Sequence, residues 1–179
     1  MKVLAIDPGT RYAGYAVIEK TTSVKLINYG LLKLSPRNSL VERIGELGTF
    51  FIEKIKEYDI NEMCIETPFL FKNAATFLKL GYVRGVLYYI AHNNNIKISE
   101  YSPSEVKQAI CAKGNATKAQ VAQMVYKHFP TLEKDLKDDV TDAISIGLTR
   151  LIVSSVYNRY NKSNNRSRNR YTGRNTGLC

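Results

Sequence analysis

Lys2-Val3-Leu4-Ala5-Ile6-Asp7-Pro8-Gly9-Thr10-Arg11 is the stretch from which the fold of this chain is read. Val3 to Ile6 is a short unbroken apolar run, the signature of a strand buried on both faces. Asp7 ends that run, and a carboxylate is costly to bury unless a cation or hydrogen bonds satisfy it. Pro8-Gly9 then supplies a tight turn, with Pro fixing φ at the first central position and Gly admitting φ > 0 at the second. Asp7 is therefore expected at the open end of a central strand, within reach of a ligand. Standing by itself, Asp-Pro-Gly would read as a turn cap; three further carboxylates elsewhere in the chain change that reading.

Working outward, Tyr12–Lys20 and Val24–Leu34 read as two more strands, hinged at the polar break Thr21-Thr22-Ser23. Leu40, Ile44, Leu47, Phe51 and Ile55 recur at helical steps and mark the core-facing stripe of a helix over about 40–58, opened by Asn38-Ser39. Met63-Cys64-Ile65 is a second short apolar strand, and it too ends on a carboxylate, Glu66. Pro68 cannot continue a ladder inside a sheet. A long helix is expected over about 73–93, with Gly81 and Gly85 inside it. Helix-interior glycines cost about 1 kcal/mol each relative to Ala, so close approach of another backbone is expected there. Ile96-Lys97-Ile98 gives a further strand, and Ser102-Pro103 a helix start with Pro at the first helical position. Thr117 opens a helix to about Phe129, and Asp138 or Asp139 opens the last one. The order βββ-α-β-α-β-α-α-α makes an α/β fold: a mixed five-stranded sheet, three antiparallel strands and then parallel additions, flanked by helices.

The chain has 179 residues and 44% hydrophobic composition, enough for one domain with a proper core. No apolar run reaches membrane-spanning length. No signal peptide is expected, since Asp7 falls where its apolar region would run. Cys64, Cys111 and Cys179 are widely spaced and odd in number, which reads as reduced thiols in a cytoplasmic setting. The net charge of +10 is unevenly placed: residues 158–179 hold six basic residues and no acid, leaving +4 on residues 1–157. The division expected is a domain over 1–157 and a basic tail over 158–179, disordered in isolation. A polyanionic partner is favoured, nucleic acid first.

Asp7 and Glu66 end two apolar strands. If those strands are parallel neighbours, both carboxylates leave the sheet at one edge. Asp139 and Asp142 are three apart on a helix and share a face. Asp138 with Asp142 fits that face equally well by spacing, and Asp138 is also a good N-cap. Oxygen ligands from three elements suit hard divalent cations such as Mg²⁺. Two such ions about 3.5–4 Å apart serve an in-line displacement at phosphorus.

At these residues the chain resembles the RuvC-type Holliday junction resolvases of the RNase H-like superfamily, over residues 1 to about 152. The resemblance rests on Ile6-Asp7-Pro8-Gly9-Thr10-Arg11 with Gly14-Tyr15, Ile65-Glu66 followed by Phe69, Lys72-Asn73-Ala74, Leu80-Gly81 with Arg84-Gly85, Val106-Lys107-Gln108, and Asp139-Val140-Thr141-Asp142-Ala143. It implies an RNase H-like nuclease domain. The family's four acidic positions fall on Asp7, Glu66, Asp139 and Asp142, which selects Asp139 over Asp138. These four are the implied catalytic and metal-ligating residues, holding two Mg²⁺ per active site, with Mn²⁺ as a substitute. Lys107 and Lys118 match basic residues that hold phosphates near the cut and stabilise charge in the transition state. Phe69 matches an aromatic that stacks on unpaired bases, an interaction of about 1–3 kcal/mol per base. Arg11 and Lys72 are weaker phosphate contacts. The implied activity is symmetric paired nicking of four-way DNA junctions by a homodimer, formed through the helix carrying Gly81 and Gly85, with room for a branch-migration helicase as a further partner. Pro68, between Glu66 and Phe69, departs from the family pattern, and the 158–179 tail maps to nothing in it.

Two other classes fit parts of the sequence. An actin-like or sugar-kinase-like ATPase shares the strand–Asp-x-Gly–hairpin opening, but needs a second phosphate loop and a second lobe. A non-cleaving module for branched DNA has no use for four acids where phosphate must approach.

Overall fold

A computed structural model describes residues 1–67 and 74–172, with side chains to Val156. In chain order the elements are β1 (Lys2–Asp7), β2 (Tyr12–Lys20), β3 (Val24–Lys33), α1 (Leu40–Tyr58), β4 (Glu62–Glu66), α2 (Ala74–Asn93), β5 (Lys97–Tyr101), α3 (Pro103–Cys111), α4 (Lys118–His128) and α5 (Asp138–Thr172). The sheet order is β3-β2-β1-β4-β5. β1–β2 and β2–β3 are antiparallel, whereas β1–β4 and β4–β5 are parallel. The mixed five-stranded sheet expected from the sequence is the one observed.

Side chains alternate between the two faces of each strand, and the core divides accordingly. Leu4 and Ile6 of β1, Tyr15 and Val17 of β2, and Met63 and Ile65 of β4 pack with α1 and α2. Val3, Ala5, Ala16, Ile18 and Cys64 face the other way, toward α3, α4 and α5. Three helices open with capping boxes: Ser39 with Glu42, Ser102 with Glu105, and Thr117 with Gln120. Each box satisfies two backbone donors that a helix start would leave bare.

Helix α5 crosses the sheet so closely that Gly147 has no room for a side chain: a Cβ there would stand 2.7 Å from Ile18 Cδ1 and 3.1 Å from Ala5 Cβ. Ser145 and Thr149, fully buried on this helix, donate back to the carbonyls of Thr141 and Ser145. Composition predicts disorder for 158–179 in isolation. Joined to α5, the stretch to Thr172 instead continues a helix. Extending a nucleated helix avoids the unfavourable first turn. No helix among the described residues is long and apolar enough to cross a membrane.

Candidate active site

Register brings the first two acids together. Ile6 pairs with Ile65 across the parallel β1–β4 ladder. Asp7 and Glu66 are the next residues of those two strands. Both follow residues that face α1 and α2, so both lie on the opposite side, where α5 packs. The third element arrives through a missing side chain. Gly14 of β2 pairs directly with Asp7. A Cβ on Gly14 would stand 1.8 Å from the carbonyl oxygen of Asp139. Only glycine lets the first turn of α5 rest on the strand beside Asp7. Gly9 is needed for space as well. No glycine among the described residues has positive φ, contrary to the turn geometry expected above. A Cβ on Gly9 would stand 2.0 Å from Tyr12 O, so crowding, not a left-handed backbone, demands glycine there.

The result is a cleft of about 410 Å³ lined by Asp7, Glu66 and Asp142 together with Lys107, Lys118 and Arg84. Asp139 is half-buried just behind it, whereas Asp138 is exposed. The negative charge of Asp139 acts on Asp7, while that of Asp138 acts on Lys118. Burial first, and then the charges of Asp142, Glu66 and Asp139, push the Asp7 carboxyl up to about 8. Glu66 is pushed up to about 6 by burial and by Asp142, against the pull of Lys118 and Lys107. Asp142 is raised as well, chiefly by burial, although Lys118 opposes this. Lys118 Nζ donates to Asp142 Oδ2 at 3.0 Å from a largely exposed side chain. The capping box at Thr117 fixes the helix start that carries it.

These acids repel one another and are partly withdrawn from water. Such a site gains from a bound cation, and an all-oxygen donor set from three elements fits a hard divalent ion. Among the described residues no three His, Cys, Asp or Glu side chains already form a closed cage for one ion; one oxygen of Asp142 is taken up by Lys118.

The structure thus gathers Asp7, Glu66, Asp142, Lys107 and Lys118 around one cleft, with Asp139 adjoining. Arg11 is exposed at the far side of the Pro8-Gly9 turn and does not line the cleft. Phe69 and Lys72 lie outside the described residues. One contributor escaped the sequence reading as a site residue. Arg84 is buried on α2 among Val83, Leu87 and Ile90. Its guanidinium donates to the backbone carbonyl of Glu66 at 2.7 Å and to Glu100 Oε2 at 2.7 Å. Tyr88 OH accepts from the same group and donates to Glu100. Arg84 therefore ties α2 to the strand end that presents Glu66. The available signal was a charged residue inside an apolar helical stripe.

The sequence matches the family model for "Crossover junction endodeoxyribonuclease RuvC" over residues 3–150. The crossover junction endodeoxyribonuclease RuvC of Pelodictyon phaeoclathratiforme is 40% identical over 153 residues, spanning 85% of this chain and 80% of the relative. The RuvC of Campylobacter lari is 42% identical over 151 residues, spanning 83% of this chain and 94% of the relative. Among solved structures, Thermus thermophilus RuvC aligns with a TM-score of 0.78 at 26% identity, over 87% of this chain and 96% of that one. T. thermophilus RuvC in complex with Holliday junction substrate aligns over the same shares with a TM-score of 0.79; at 24% identity this likeness speaks for the fold.

Proposed function

The chain belongs to the RuvC family of crossover junction endodeoxyribonucleases, and on that premise we propose how its own residues resolve a four-way DNA junction. It is a metal-dependent nuclease that binds Holliday junctions. The observation carrying the residue assignment is the convergence of Asp7, Glu66 and Asp142 on one cleft flanked by two lysines.

Asp7, Glu66, Asp139 and Asp142 are the proposed ligands, holding two Mg²⁺ per site, with Mn²⁺ able to substitute. When bound, such ions supply Lewis acidity and an activated water for in-line attack at phosphorus. The protein's part is placement. β1 and β4 hold Asp7 and Glu66 side by side, and Gly14 lets α5 deliver its two aspartates to the same spot. Arg84 fixes the strand end beneath Glu66. Lys107 and Lys118 bring positive charge to the scissile phosphate and to the charge that develops on it. Asp142, paired with Lys118 here, would hold a cation once that pair opened. Phe69 is proposed to stack on bases unpaired at the crossover, with Lys72 and Arg11 as outlying phosphate contacts. The segment from 158 onward acts as a basic arm on DNA.

A homodimer is proposed through α2. Phe77, Leu78, Tyr82 and Tyr89 are exposed large hydrophobics. Their spacing puts them on one helix face with Gly81 and Gly85. Among the described residues, nothing outside α2's own neighbouring backbone lies within 4 Å of a Cβ at either glycine. Two such faces can approach closely, and a two-fold pair presents two equivalent clefts to two equivalent strands. A branch-migration helicase is a further proposed partner, and the cytoplasm the proposed location.

The test uses labelled four-way junction and linear duplex, with and without Mg²⁺. Wild-type protein is expected to nick only the junction and only with the cation. Asp7→Asn is expected to lose nicking and keep junction affinity. Cutting by Asp7→Asn at the wild-type rate would remove Asp7 from the ligand set.

A further inference from the structure

The sheet has a second end, and α5 reaches it too. Toward the end of the sheet opposite Asp7 lies a cavity of about 610 Å³, which reaches back along β5 as far as Tyr101. It is lined by Met1, Lys20, Lys97, Ser99 and Arg150, with Ser154 at its margin. Three cationic side chains meet here: Lys20, Lys97 and Arg150. Among the described residues only Arg150 forms an ion pair here, although its partner, the Glu62 carboxylate, also feels the charge of Lys97. Arg150 Nε donates to Glu62 Oε1 at 2.8 Å, with side chains 16% and 5% exposed, so that charge is neutralised inside the protein. Among the described residues no acid pairs with the N-terminus, Lys20 or Lys97.

Lys20 is also held in place, which a free surface lysine is not. Its ammonium donates to Leu151 O at 3.3 Å and to Ser155 Oγ. The N-terminal ammonium donates to Lys20 O at 3.1 Å. Fixing like charges together costs electrostatic energy that an anion would relieve. Chain continuity gives the direction. Helix α5 leaves the sheet at this end and runs on to Thr172. That continuation holds Arg159, Lys162, Arg166 and Arg170 at steps of three and four, and no acid.

We infer that the cavity flanked by Lys20 and Lys97 is a second contact for the DNA phosphate backbone, apart from the acidic cleft and at the root of the basic α5 extension. The inference rests on the nuclease reading for its choice of polyanion. The contact adds affinity without base recognition and plays no part in the cut.

The test compares wild-type protein with the double variant Lys20→Gln/Lys97→Gln. Affinity for labelled four-way junction and linear duplex is measured without Mg²⁺ across a fourfold range of salt. Each lost phosphate contact lowers the slope of log affinity against log salt by about one. The double variant should therefore lose about tenfold less affinity than wild type over that range, from a weaker start. Single-turnover nicking at saturating protein with Mg²⁺ should match wild type. Because Lys20 also props α5, Lys97→Glu alone, at an exposed position, is run beside it and should shift the slope on its own. Slopes equal to wild type in both variants, with normal melting, would overturn the proposal. Failure of the wild-type protein to nick any junction would instead sink the nuclease reading, and the slopes would still be measurable.

Discussion

Glu62 and Glu66 stand four residues apart on β4 and face the same side of the sheet, yet the protein treats them oppositely. Glu62 is buried against Arg150 and Ser99, whose hydrogen bonds outweigh burial and hold its carboxyl below the usual range. Glu66 meets Asp7 and Asp142 and is pushed up to about 6. One strand therefore carries a satisfied acid at one end and a frustrated one at the other. A fold able to neutralise Glu62 so fully leaves Glu66 only partly compensated by Lys118 and Lys107, the pattern expected at an end built for a ligand. Local rules broken at one place and kept at its neighbour mark the functional end of a sheet.

The sharpest way to break the comparison is to remove each charge. Glu66→Gln should lower junction nicking by at least about 10²-fold, the scale of losing one electrostatic stabiliser, while its melting temperature holds or rises. Glu62→Gln should do the reverse. It strands Arg150 and costs about 3 kcal/mol, while nicking by the folded fraction stays near wild type. Single-turnover rates and thermal melts on the two proteins decide this. If Glu62→Gln lost activity without losing stability, the division of labour along β4 would be wrong.

Next in size is the seam between the two ends. Gly14→Ala forces a methyl into the space of the Asp139 carbonyl, where a Cβ would stand 1.8 Å away. The first turn of α5 must shift, at about 1–3 kcal/mol. Nicking should fall roughly 10–100-fold, because a displacement of about 1 Å at a catalytic group costs that much. Junction affinity at fixed salt should change little. An alanine variant with the wild-type rate would show that α5 need not sit so close.

The smallest effect sharpens the comparison through pH. Asp7 has its carboxyl raised to about 8, so the native state keeps a proton that the unfolded chain loses near pH 4. Stability of the cation-free protein should therefore fall as pH rises from about 4 toward 8. Glu62 has the opposite sign: its contribution is present above its unfolded value and is lost as pH falls through its lowered native one. Mg²⁺ should flatten the fall at the Asp7 end, raising the melting temperature more at pH 8 than at pH 5. A gain of about 1 kcal/mol corresponds to about 2–4 °C in a chain of this size. Equal shifts at both pH values would argue that the cation does not meet Asp7.

Most of the architecture was legible because β1 and β4, the two central strands of the parallel part, are short apolar runs ended by an acid, a pattern that fixes both the strand and its open edge. Helix starts were legible from Ser39, Ser102 and Thr117, whose caps act within three residues. Contacts between distant parts of the sequence were not. Glu62 reads as an ordinary polar residue before Met63 until Arg150, 88 positions on, is known to reach it. Arg84 reads as a helix surface residue until β4 and β5 are placed beneath it. The choice between Asp138 and Asp139 was open by spacing, since both fall one helical step or so from Asp142; contact of Asp139 with Gly14 depends on a strand more than a hundred residues earlier. Gly9 reads as a turn glycine because sequence carries dihedral preference more readily than crowding.

Asp7 on β1 and Asp142 on α5 lie far apart along the chain, so the cleft joins an early and a late part of the polypeptide. A ribosome releases Asp7 early, but the seat for Asp139 and Asp142 stays bare until the last helix has emerged and docked on Gly14. A copy halted before α5 therefore lacks the aspartate that lines the cleft with Asp7 and Glu66.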